Sequence, residues 1–111
     1  MATELARTRT AFTVTKREMI LLRKLCYENN LSTESKCGEI IIQLFLKKVK
    51  EGEITKPLKI AKPDRSKVKL RIKVDVKELN EFYLTCWKIG YESITECFRD
   101  AIELCVRSYE N

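Results

Sequence analysis

Lys69, Arg71 and Lys73 stand at every second position of one short run, Lys67-Val68-Lys69-Leu70-Arg71-Ile72-Lys73-Val74. Alternate residues of an extended strand share a face. Lys67, Lys69, Arg71 and Lys73 therefore lie on one side, and Val68, Leu70, Ile72 and Val74 on the other. Lysine and arginine offer charged hydrogen-bond donors and no acceptors. Such a row can capture an anion or an acceptor-rich surface, but it makes no bonds by itself. The neighbourhood reinforces it. Residues 47–74 hold eleven Lys/Arg against three Asp/Glu, whereas residues 75–111 hold four against eight. The net charge of +6 is thus concentrated mid-chain, which points to a polyanionic partner.

Other chemistries lack their residues. Histidine is absent, which removes the commonest general base and the commonest metal ligand. No glycine-rich phosphate loop and no nucleophile–base pair is recognisable, so no enzyme, metal or cofactor is expected. The cysteines are Cys26, Cys37, Cys86, Cys97 and Cys105. An odd count without a C-x-x-C pair argues against a disulfide framework or a zinc site. The expectation is reduced thiols filling a core. No apolar run is long enough to span a membrane. The N-terminus lacks the apolar region of a signal peptide, so a cytoplasmic location is expected (the host cytoplasm, if the protein is viral).

The elements that would position the cations come in two sets. A second strand-like run covers residues 8–14, with Phe12 and Val14 on an apolar face extended by Thr8 and Thr10. Its other face is Arg9, Ala11 and Thr13. Each run leads into a helix start: Thr15-Lys16-Arg17-Glu18 fits a capping box, and Asp75-Val76-Lys77-Glu78 is its Asp-capped analogue. Through this segment the two halves match at an offset of 60 residues, Val14 with Val74 and Cys26 with Cys86. Met19, Leu22, Leu25 and Cys26 form one helical stripe, and Leu79, Phe82, Cys86 and Ile89 the other. The first helix should stop near Asn29-Asn30 and its counterpart at Gly90. A further helix follows in each half. Ser32 or Ser35 would cap the first, leading to Ile40, Ile41, Leu44, Phe45 and Val49. Ser93 or Thr95 would cap the second, leading to Cys97, Phe98, Ala101, Ile102, Cys105 and Val106. Between the halves, residues 51–66 read as an extended basic linker. Residues 7–50 form the first unit and 67–111 the second.

A strand, a capped helix, a glycine turn and a second helix resemble the ribbon-helix-helix family of DNA-binding proteins (the MetJ/Arc superfamily). The match is best in Gly90-Tyr91-Glu92-Ser93-Ile94-Thr95-Glu96-Cys97-Phe98-Arg99-Asp100-Ala101-Ile102, which is similar to the family's G-Y-x-S-x-S-E-x-I-R-D-A-I pattern. Thr95 stands where serine is usual. The first half departs further, with Asn30 in place of the glycine and three extra residues between its helices. The tandem arrangement is also similar to regulators of archaeal filamentous viruses. The resemblance implies a mainly α fold with a two-stranded antiparallel β-ribbon, built from strand-helix-helix twice with pseudo-twofold symmetry.

It also implies a function. The ribbon of such proteins enters the major groove of double-stranded DNA, where base edges present distinct patterns. Arg9, Ala11, Thr13, Lys69, Arg71 and Lys73 would then contact bases, and Arg71 can bridge guanine O6 and N7. Arg7, Ser32, Ser35, Lys36, Lys67, Ser93 and Thr95 would contact phosphates at or near helix starts. Lys56, Lys59, Lys62 and Arg65 of the linker would add non-specific attraction. The expected role is transcription regulation, as a repressor, on an asymmetric operator, with self-association on DNA possible. Two alternatives stand beside it. Alternating cations are also common on a solvated strand, where they block edge aggregation. An antitoxin-like module would instead bind a protein partner. The chain's ending at Asn111 is read as leaving no room for a toxin-wrapping tail, but Glu96, Asp100 and Glu103 on the last helix would offer an acidic contact face.

Overall fold

The computed structural model describes residues 7–109. The elements run β1 (Arg7–Val14), α1 (Lys16–Glu28), α2 (Glu34–Lys50), β2 (Val68–Asp75), α3 (Val76–Ile89) and α4 (Ile94–Tyr109). The fold is mainly helical, with one two-stranded antiparallel sheet in which Arg7 faces Asp75 and Val14 faces Val68. Both strands fall within a residue of the runs expected from alternation.

The helix ends follow from local chemistry. Thr15 and Glu18 form the reciprocal capping box, and the Asp75 side chain accepts from the Lys77 N–H. Asn30 and Gly90 adopt positive φ, 55° and 106°, after α1 and α3; glycine pays no Cβ penalty there. Ser93 caps α4, its hydroxyl accepting from the Glu96 N–H. The cap of α2 is neither Ser32 nor Ser35. It is Thr33, whose hydroxyl accepts from the Lys36 N–H. Ser35 lies inside the helix, and its Oγ accepts from the Lys73 N–H of β2.

One face of the sheet is core. Phe12, Val14, Leu70, Ile72 and Val74 are all buried. Phe12 stacks on Phe98 with centroids 4.0 Å apart, and Phe82 meets Phe12, Phe45 and Phe98 edge-on. Burying a side chain of this size is worth about 1.5–3 kcal/mol, so register and facing are strongly specified. α2 packs on β2 and α4 on β1, so the two halves interleave. Gly38 permits the first contact: a Cβ there would lie 2.7 Å from Ile72 Cγ2. The buried side of α2 is Cys37, Gly38, Ile41, Ile42, Phe45 and Leu46, while Ile40 and Leu44 are only half-buried.

The expectation of reduced thiols throughout is corrected. Four cysteines pair as disulfides, Cys26–Cys37 and Cys86–Cys97, each eleven residues apart with Cα atoms 5.7 and 6.2 Å apart. Each turn folds a second helix back against the last turn of the first, so residues distant in sequence become neighbours. Only Cys105 remains a core thiol, and burial pushes it up to about 11. The linker is docked against the helices. It has no regular secondary structure, but Ile54 is buried and the Asp100 carboxylate accepts from the backbone N–H groups of Lys59, Ile60 and Ala61 at 2.7–3.0 Å. Tyr91 donates to the same carboxylate and accepts from the Leu58 N–H.

The first-turn glutamates of α1 and α3 differ in their surroundings. Glu18 is buried, and the Arg99 guanidinium donates to both of its oxygens at 2.9 Å. Glu78 accepts from Gln43 through Oε2, and among the described residues its buried Oε1 has no hydrogen-bond partner. Lost solvation raises the Glu78 carboxyl, with Glu39, Asp75 and Glu81 adding repulsion and the Gln43 hydrogen bond opposing. A raised folded-state pKa favours the protonated form, so its stabilising effect is present at acid pH and lost as pH rises through the folded value. Glu78→Gln should therefore raise stability slightly at pH 7, by up to about 0.5 kcal/mol for a partly exposed site. The gain should vanish below about pH 4. Chemical denaturation of both proteins across that range checks this; an equal or less stable variant at pH 7 would contradict it.

Candidate nucleic-acid interface

Because the core claims one face of the ribbon, the other is committed to solvent. The antiparallel register sets three cross-strand pairs on it: Arg9 with Lys73, Ala11 with Arg71, and Thr13 with Lys69. Arg9, Ala11, Lys69, Arg71 and Lys73 are exposed, and Thr13 is half-buried. All six residues expected to read bases thus share one surface. Among the described residues, no side-chain hydrogen bond or ion pair engages Arg9, Lys69, Arg71 or Lys73. Four unpaired cations within two short strands repel one another, and a polyanion relieves that repulsion. The middle pair combines the longest donor with the smallest partner, so Arg71 can swing across Ala11. The ends differ, with two cations at Arg9–Lys73 and one at Thr13–Lys69.

A shallow depression on this face runs from Arg9 and Arg71 to Ser35, so the start of α2 borders the ribbon. The helix dipole and free N–H groups there favour an anion, and Ser32 and Lys36 are exposed beside it. Ser93 and Thr95, both half-buried, open α4, whose body packs on β1. Lys67 is exposed immediately before β2. Arg7, exposed at the start of β1, has protein partners: its guanidinium donates to Glu39 and to the Lys73 carbonyl, both at 2.8 Å. With Ser35 bonded to the Lys73 N–H, these contacts satisfy the backbone of Lys73 and tie β2 to α2. Of the acidic face expected on α4, Glu96 alone is exposed. Asp100 and Glu103 are buried, and Glu103 pairs with Arg17.

The anchoring residues Tyr91, Arg99 and Asp100 carry a role that sequence reasoning missed. Their signal was a charged pair in the register of a buried helical stripe, where an unpaired charge is costly. Among the described residues, no group of three or more His, Cys, Asp or Glu side chains is placed to hold a metal ion. No described helix is long and apolar enough to cross a membrane. The chain matches no family model, no curated protein and no solved structure.

Proposed function

We propose that the chain is a ribbon-helix-helix DNA-binding protein with two tandem strand-helix-helix units, which regulates transcription as a repressor. One observation carries the reading. A two-stranded ribbon buries one face and offers on the other four unpaired cations, a threonine and an alanine. A ribbon of that width fits the major groove of B-DNA, where base edges can be told apart. The bordering helix start supports a phosphate contact at the groove edge.

The two strands offer unlike residues, Arg-Ala-Thr against Lys-Arg-Lys, so the two halves of the site should differ in sequence. Selection from a random duplex pool at fixed salt should enrich one non-palindromic site. A perfect palindrome protected equally in both arms would contradict the asymmetry. No enrichment at all would favour a protein partner. That second reading has its own support, since Ile20, Tyr27, Leu84 and Trp87 are large apolar residues left exposed on α1 and α3.

A further inference from the structure

The linker carries Lys56, Lys59, Lys62 and Arg65, all exposed. On a free tether their charge would be spread over many positions. Here the backbone beneath them is fixed. Three successive N–H groups from Lys59 to Ala61 cradle the Asp100 carboxylate, with Lys59 held at φ 54° to form the cradle. Arg99 donates to the Lys62 carbonyl at 2.6 Å, and the Lys16 N–H donates to Ser66 Oγ. The anchors define a path. Tyr91 lies in the turn before α4, Arg99 and Asp100 lie on α4, and Lys16 follows the Val14 end of β1. The strap therefore runs from the α3–α4 turn to the Val14–Val68 end of the ribbon.

Opposing charge is present but smaller. Glu92 and Glu96 border the same hollow as Lys56 and Lys59, and Asp64 precedes Arg65; from Lys56 to Lys67, five cations meet these three acids, while Glu51 and Glu53 lie nearer α2, where Glu53 pairs with Lys48. Among the described residues, no such strap lies at the other end of the ribbon. Ile40, which stands on α2 where Asp100 stands on α4, three residues after the paired cysteine in each case, has no carboxylate to hold a chain segment.

We propose that the docked linker is a phosphate-binding track on one side of the DNA only, extending contact beyond the ribbon at its Val14–Val68 end. This rests on the DNA-binding reading. Cations held in place lose little freedom on meeting phosphates, and each phosphate neutralised steepens the salt dependence by about 0.9 in log–log slope. The strap would thus make up for the weaker charge of the Thr13–Lys69 end.

The test compares the full chain with its Lys56→Gln, Lys59→Gln, Lys62→Gln variant on the selected duplex. All three side chains are exposed, and thermal melting verifies the fold. The variant should show a slope shallower by about 2–3, loss of protection in one flank, and unchanged base preference under the ribbon. An unchanged slope overturns the proposal. So does a reduced slope with both flanks shortened equally or neither shortened. If the unaltered chain binds no duplex, the DNA-binding reading itself fails and this proposal with it, an outcome distinct from failure in the variant alone.

Discussion

Arg71→Ala is expected to weaken binding to the selected DNA site by about 1–3 kcal/mol, roughly fivefold to 150-fold, and to relax selectivity at a single base pair. The fold should be untouched. Arg71 is exposed on the solvent face of β2 and opposite Ala11, and no described side chain pairs with it. Substitutions at such sites usually stay within about 0.5 kcal/mol of stability. In the proposed complex its central position would keep it over the middle of the groove, where its planar fork can match two acceptors of one guanine. Arg71→Lys separates charge from shape. Lysine retains the cation but loses the fork, so affinity for random duplex should persist while the base preference falls. Quantitative binding to the selected site and to its single-base variants reads both effects. Unchanged affinity and selectivity in Arg71→Ala would remove the ribbon from the reading surface.

The second large effect concerns stability. Asp100→Ala should cost about 2–4 kcal/mol, because its buried carboxylate serves three backbone N–H groups and the Tyr91 hydroxyl. A buried donor left without a partner costs about 1–3 kcal/mol. The chain can lower that total by letting the linker lift into water, which exposes Ile54 and Leu58 and forfeits their packing. The folded state should therefore survive with a loosened linker. Urea denaturation gives the loss as a lower midpoint, and limited proteolysis should cut first within residues 51–66. A variant with the parent's midpoint and an uncut linker would show that Asp100 does not hold the strap. Loss of the linker's fixed path should also weaken DNA binding at low salt, with the ribbon's base preference retained.

Much of this architecture was legible because it is local. Period-two alternation in Lys67–Val74 announced a strand with one buried face, and Thr15 and Asp75 announced the helices that follow. The six ribbon residues came from the same alternation, and the antiparallel register needed only two strands to pair. What escaped was non-local. The cysteines carry no close-spaced motif, and their pairing needs the turn that brings residues eleven apart together. The docking of the linker escaped because its composition says nothing about Asp100, which lies about 40 residues later. Ser35 and Arg7 were assigned to phosphates from their place near helix and strand starts. In the fold, Lys73 claims the Ser35 oxygen and shares Arg7 with Glu39. The α2 cap was missed by a single residue, since Ser32, Thr33 and Ser35 carry equivalent hydroxyls and only the chain's entry angle chooses among them.

The interleaving of α2 on β2 and α4 on β1 within one chain has a consequence for how the reading surface can change. In a homodimer, any substitution in the ribbon is written into both halves of the DNA contact at once. Here Ala11 and Arg71 face each other but are encoded separately, so, on the proposed DNA-binding reading, one half-site would be free to drift while the other stays fixed. The ribbon also needs no second molecule to form. Its availability is set by the folding of a single chain and not by a dissociation constant between subunits, so it persists at any dilution.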